Sequence, residues 1–335
     1  MLGFAERPRS RAALRRGYFP STLGGAPAWL APPGAATARA AEACGACGGP
    51  MRLLAQVYAP VEPGDAVGGG GVCTFHRAVY VFACRDGRCV AADTAGKATL
   101  ALRAQLPRDN EHFGFDPLPE PETDSDSDSD SGEGEGEGEG EGGGEEASAG
   151  GSEGGGSAVA AAAREWPELE LVVEPEAEHL GGGVSVDALL ERYRAAERAD
   201  SAGDAHGLPK EAVPSGADLQ MDAERRQWVA FQARCAAAPR QVLRYCRSPS
   251  AAAPLWPRRS PAPPRPPPRC ERCGGERVFE CQLLPQALHY ARESAAGDRP
   301  DALDFGTLAV YTCRDNCSLG DSYAREYIFV QPPSE

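Results

Sequence analysis

The chain has 335 residues, enough for one large domain or two small ones, and 41% of them are hydrophobic. Its 40 Gly and 30 Pro are too many for a compact fold throughout, so about a fifth of the chain is expected to be loop or disordered. The net charge of −15 is local: residues 109–163 hold 17 acids and no Lys or Arg, and removing 17 from 49 leaves 32 acids against 34 bases. The near-neutral remainder gives no strong electrostatic signal for nucleic acid or for an anionic membrane.

The start, MLGFAERPRSRAALRRGYF, has no apolar stretch of signal-peptide length, and no window approaches the ~18 apolar residues of a membrane span. The bases between Arg7 and Arg16 suggest a mitochondrial presequence, but Glu6 and Pro8 weaken an amphipathic helix there. The expected location is the cytoplasm, with the nucleus as a second compartment. Twelve Cys in a reducing compartment are poor candidates for disulfides. When they come in close pairs, metal is the better explanation.

Three regions separate by composition. Residues 1–121 contain short apolar runs such as MRLLAQVYA and HRAVYVFAC, broken by Gly and Pro, which predict strands joined by turns. Residues 122–160 carry DSDSDSDSGEGEGEGEGEGGGEE, have almost nothing to bury, and are expected to be a disordered acidic linker. Residues 161–335 open with two predicted helices. Ser185 to Ala199 has a Ser at its N-cap. Asp222 to Ala237 spaces Trp228, Phe231 and Cys235 on one face, where core packing is the expected role. After the Pro-rich stretch Pro257–Pro268, strand-like runs return: RVFECQLLPQ, TLAVYTC and YAREYIFVQ.

The cysteines form two matching patterns. Cys44 and Cys47 make a Cys-x2-Cys knuckle, followed by Cys84 and Cys89. Cys270 and Cys273 make a second knuckle, followed by Cys313 and Cys317. The flanks match as well: CGACGGPMRLLAQ aligns with CERCGGERVFECQ, and RAVYVFACRDGRC with GTLAVYTCRDNC. Zinc takes four thiolates in a tetrahedron with Zn–S of ~2.3 Å, and four Cys per site leave no position for water, the mark of a structural ion. Gly48, Gly49, Gly274 and Gly275 sit where such a turn needs backbone freedom. Redox-active thiols are the competing reading of a Cys-x2-Cys, and Cys73 with His76 an alternative ligand pair for the first site. Cys235, Cys246 and Cys281 read as buried inert thiols. No motif for nucleophilic catalysis or phosphate binding stands in a supporting context.

These residues carry a resemblance. FPSTLGGAPAWL (Phe19–Leu30), CGACGGPMRLLAQVYAP (Cys44–Pro60), FHRAVYVFAC (Phe75–Cys84), PRQVLRYCR (Pro239–Arg247), CERCGGERVFECQLLPQAL (Cys270–Leu288) and DFGTLAVYTC (Asp304–Cys313) resemble the programmed cell death protein 2 family. Some members insert a MYND-type finger where this chain has its acidic tract. The chain is therefore similar to the shorter, programmed cell death 2-like and yeast 20S-rRNA-accumulation type. The resemblance implies a non-enzymatic chaperone for a newly made, basic small-subunit ribosomal protein of the universal S-five family, supporting 40S ribosome biogenesis and rRNA maturation. The expected fold is α+β, mainly β: two similar zinc-stapled β-rich modules with a few helices, in a monomer that binds neither nucleic acid nor membrane. An exposed strand edge is one way such modules could take hold of a client. The alternatives are a zinc-ribbon protein binding nucleic acid through Arg258, Arg259, Arg265, Arg269 and Arg272, or a scaffold in apoptosis or transcription. The Pro27–Leu30 segment PAWL and its counterpart PLW either line a groove or plug a module.

Overall fold

The computed structural model describes residues 1–61, 73–93, 96–114, 166–179, 223–247, 253–293, 303–320 and 322–333. The linker at 122–160 and the helix expected at Ser185–Ala199 lie outside the described residues. The strands are β1 (Leu2–Glu6), β2 (Thr22–Leu23), β3 (Met51–Tyr58), β4 (His76–Cys84), β5 (Thr99–Leu106), β6 (Leu169–Glu174), β7 (Gln241–Tyr245), β8 (Arg277–Leu283), β9 (Thr307–Cys313) and β10 (Ala324–Gln331). They form one closed antiparallel barrel in the order β1-β6-β2-β3-β4-β5-β10-β9-β8-β7, with β1 pairing back onto β7. The short helices are α1 (Ala35–Glu42), α2 (Gly87–Ala91), α3 (Glu176–His179), α4 (Ala223–Ala236) and α5 (Ala287–Glu293).

The mainly β reading holds, and the duplicated Cys layout has a structural counterpart. The expected modules at 1–121 and 161–335, however, share a single sheet. β5 pairs with β10 on one side, and β1 with β6 seals the other. Closure also removes the exposed edge expected for client pairing, because every described strand has a neighbour on both sides.

All nine residues of β4 are buried, so its sequence shows no polar alternation. Val79 and Val81 face inward. Tyr80 and Phe82 point outward and are covered by a strap that includes Trp29, whose ring lies 4.9 Å from Tyr80, 5.6 Å from Phe82 and 5.1 Å from Tyr323. Leu30 N donates to the Tyr80 hydroxyl at 3.0 Å, and the same hydroxyl donates to Ala28 O at 3.1 Å. The Trp segment is thus packed on the outside of the sheet; it neither lines an open groove nor plugs a module's end.

The second half repeats this scheme. Both β3 and β8 carry a bulge at the same distance from their knuckles, between Leu53 and Ala55 and between Phe279 and Cys281. Gln56, one residue past the first bulge, accepts from Ala28 N at 2.9 Å. Gln282, at the same place in β8, accepts from Leu255 N at 2.7 Å and so clasps the second Pro-x-Trp strap. Trp256 in that strap packs edge-on against Phe329, 5.6 Å away. On α4, Phe231 and Cys235 bury against Leu284, and Trp228 stacks on Phe231 at 5.9 Å, as the spacing predicts.

One end of the barrel interior is polar. Arg77 on β4 meets Glu280 on β8, four strands around the ring, with Nη2 to Oε2 at 2.7 Å and both side chains fully buried. Thr312 also donates to Glu280, as does the Tyr245 hydroxyl at 3.2 Å. Burial by itself would raise the Glu280 carboxyl, but the Arg77 and Arg247 charges override it and hold it down to about 2. Because the folded value lies below the ordinary ~4.3 of Glu, this contribution to stability is complete above about pH 4.3 and is lost as pH falls toward 2. Glu280→Ala strands Arg77 without its partner and is expected to cost about 3–5 kcal/mol. Denaturant unfolding at pH 7 checks the size. Repeating it at pH 3 should narrow the gap between variant and unsubstituted protein.

Candidate metal centres

The first centre is assembled by a knuckle and a helix N-terminus. The turn after Cys44 closes through Gly48 N to Cys44 O and Cys44 N to Gly49 O, both at 2.8 Å. Gly48 has φ of 70°, a left-handed conformation that a side chain disfavours. Cys84 ends β4. Asp86 then caps α2 by accepting from Arg88 N at 3.0 Å, which turns Cys89 back toward the knuckle. The second centre repeats the knuckle, with Gly274 N to Cys270 O and Cys270 N to Gly275 O at 2.9 Å and Gly274 at φ of 71°. Cys313 ends β9, and a turn through Asn316, at φ of 45°, presents Cys317.

The structure brings together Cys44, Cys47, Cys84 and Cys89 in one set and Cys270, Cys273, Cys313 and Cys317 in another, the sulfurs of each set within 4.8 Å of one another. Cys47 and Cys84 sulfurs are 3.7 Å apart, those of Cys270 and Cys317 3.8 Å, and those of Cys273 and Cys313 3.6 Å. A tetrahedron with metal–sulfur bonds of ~2.3 Å has edges of about 3.8 Å, so both sets fit a zinc ion. They are far too long for disulfides at ~2.05 Å. One N–H in each knuckle supports a sulfur in the same way: Gly49 N to Cys47 Sγ and Gly275 N to Cys273 Sγ, both at 3.3 Å.

The thiol electrostatics divide each set, raising the second pair and lowering one knuckle thiol. Burial pushes the Cys89 thiol up to about 11 and that of Cys317 up to about 12, and it raises Cys84 and Cys313 as well. Only a thiolate attacks a disulfide readily, so these are weak nucleophiles. The Gly49 N–H lowers Cys47, while Cys270 is lowered by N–H donors from Cys273 and Arg272 that overcome its burial.

Cys73 and His76 stand apart from the first centre. The His76 ring stacks on Phe19 at 4.3 Å and its Nδ1 lies 3.1 Å from the Tyr58 hydroxyl. Cys235 and Cys281 are buried, Cys246 is half-buried, and burial pushes Cys235 up to about 11. Arg258, Arg269 and Arg272 of the suggested basic patch donate within the chain, to Pro333 O, Gly274 O and Ser322 Oγ. The sequence reading missed the charged side chains behind the second centre. Their signal was a charge inside an apolar strand run: Arg77 in HRAVYVF, Arg103 in TLALRAQL and Glu280 in VFECQL. Among the described residues no helix is long and apolar enough to cross a membrane.

A closed antiparallel barrel with two four-thiol clusters, each able to hold a metal ion, defines a β protein with two candidate metal centres. The comparisons with known proteins go further. Family models for the programmed cell death protein 2 N-terminal and C-terminal domains match residues 1–120 and 225–332. Programmed cell death protein 2 of Mus musculus is 30% identical over 370 residues, covering 98% of this chain and 95% of that protein. The Bos taurus protein of that name is 30% identical over 98% of this chain and 95% of its own length. Programmed cell death protein 2-like of Mus musculus is 28% identical over 89% of this chain and 85% of its own length. No solved structure matches the chain. The chain belongs to the programmed cell death protein 2 family.

Metal analysis of protein purified without chelator should find two zinc ions per chain, and Cys84→Ser or Cys313→Ser should each leave one. A folded protein with eight titratable thiols and no metal would overturn the reading.

Proposed function

We propose that this protein is a non-catalytic escort for a newly made, basic small-subunit ribosomal protein of the universal S-five family, working in the cytoplasm and supporting 40S ribosome maturation. The observation that carries the reading is the closure of both centres. Four sulfurs surround each position and leave no site for water or substrate, so zinc would serve as a clasp. The family's resemblance, given above, supplies the client.

Client capture then rests on side chains, because the barrel offers no open strand edge among the described residues. In the first half the outward Tyr80 and Phe82 are covered by the Trp29 strap. In the second half the outward Phe279, Tyr327 and Phe329 are only half-buried, which makes this face the better contact surface. Aromatic side chains of this kind anchor interfaces. The acidic stretch Asp124–Glu146, outside the described residues, would screen the client's basic charge and speed encounter.

Purified protein mixed with the recombinant ribosomal protein should give a stoichiometric complex on gel filtration and keep the client soluble. Phe279→Ala with Tyr327→Ala should weaken it at least tenfold with a nearly unchanged melting profile. Deleting residues 124–146 should slow association at low salt, with little effect on folding. Failure to form any complex would remove the escort reading. A complex with structured rRNA alone would replace it by nucleic-acid binding.

A further inference from the structure

The two centres share the Cys-x2-Cys knuckle but differ in surroundings. Around the second, Arg103 from β5 reaches Cys317, with Nη2 3.5 Å from the sulfur and Nη1 3.4 Å from the carbonyl oxygen. Arg247 Nη2 donates to the carbonyls of Cys313 and Arg314 at 2.8 and 3.0 Å. Glu326 accepts from Cys313 N at 3.3 Å and is held by Arg103 at 2.7 Å and Arg277 at 3.0 Å. Around the first centre, among the described residues, the contacts that reach sulfur from outside the four cysteines come from backbone: Ala46 N, Gly49 N and the Lys97 carbonyl. The register makes the difference plain. Phe82 opposite Leu100 corresponds to Tyr311 opposite Tyr327, which puts Val330 at the place of Arg103. Counting from the knuckles, Leu54 stands at the place of Glu280.

The buried cluster behind the second centre is also unbalanced. Arg77, Arg103, Arg277 and Arg247 have side chains no more than 9% exposed, and they face only Glu280 and Glu326, both at 0%. Arginine does not lose its proton in proteins, so two cations are left over in the interior. Buried charge without a partner is costly. Arg314 and Glu276 nearby neutralise each other at the surface, and Asp315 is half-exposed beside Gly275 on the knuckle side. Four protonated thiols would supply no countercharge, whereas four thiolates on a divalent ion form a dianion next to Arg103.

We propose that a metal tetrathiolate at the second centre is the counter-charge of this buried arginine cluster, with Arg103 as the positioning residue that donates to the Cys317 sulfur. The first centre is electrostatically independent of the barrel interior. This rests on both centres holding metal.

The test uses the full chain loaded with cobalt(II), whose thiolate charge-transfer band reports each centre, and removes the metal with increasing chelator. In Arg103→Met one equivalent should leave at about 10- to 100-fold lower chelator than in the unsubstituted protein, the usual penalty for losing an outer-sphere partner, while the other is unchanged. The affected band should move to lower energy, because the sulfur loses a charged donor. Cys47→Ser, which disables the first centre, identifies the sensitive equivalent as the second. Arg103→Lys keeps the charge, and should restore part of the loss. Should Arg103→Met fail to fold, Arg103→Lys decides alone: a weakening confined to one equivalent supports the proposal. Release of both equivalents as in the unsubstituted protein overturns it, with metal binding intact. A chain that takes up no cobalt overturns the metal reading itself.

Discussion

Arg77 and Glu280 stand 203 residues apart in sequence and meet inside the barrel, each fully buried. Neither is well left without the other in the buried interior, so this pair ties β4 of the first half to β8 of the second. An ion pair of this kind is weak support for stability in itself, since desolvation offsets most of the attraction. It works against wrong closures instead: any strand order that kept β4 away from β8 would leave a buried guanidinium and carboxylate unpartnered. β1 and β6 then complete the circle, with Gly3 lying so close to Leu243 that a Cβ there would come within 2.9 Å of it.

The halves are duplicates that have diverged at their interior ends. They share the knuckle, the bulge, the clasping glutamine and the Pro-x-Trp strap. They differ where Leu54 matches Glu280 and Val330 matches Arg103, so apolar packing closes one end and a hydrogen-bonded ion cluster the other. The outer faces diverge too. The first-half aromatics lie beneath Trp29, while Phe279, Tyr327 and Phe329 keep part of their area at the surface. A duplicated fold can in this way keep one half for stability and leave the other free to acquire contacts.

Local chemistry explains which features were legible in the sequence. The knuckles, the strand runs and the buried face of α4 all rest on spacing over a few residues, and each appears where the pattern put it. The single ring was not legible, because the pairing of Leu2 with Glu174 spans 172 positions and leaves no periodic trace. β2 is only two residues long, too short for any alternation. Arg77, Arg103 and Glu280 were missed: they stand as charges in apolar runs, but nothing local names their partners. A charged residue in a strand reads as an outward one until the ring is closed.

The two hairpins explain what a metal clasp would do at these positions. β4 and β9 are buried at every position and β3 and β8 at most of theirs, so the inside–outside alternation that normally fixes register is weak in both hairpins. In each hairpin the centre lies just beyond the last pair, Met51 with Cys84 and Arg277 with Cys313. A slip by one residue would carry the knuckle about 3.3 Å along the strand, well outside the reach of ~2.3 Å bonds to one ion. A metal ion held by each set of sulfurs would therefore select one register. Through β5 and β10 that choice passes to the seam where the two halves meet.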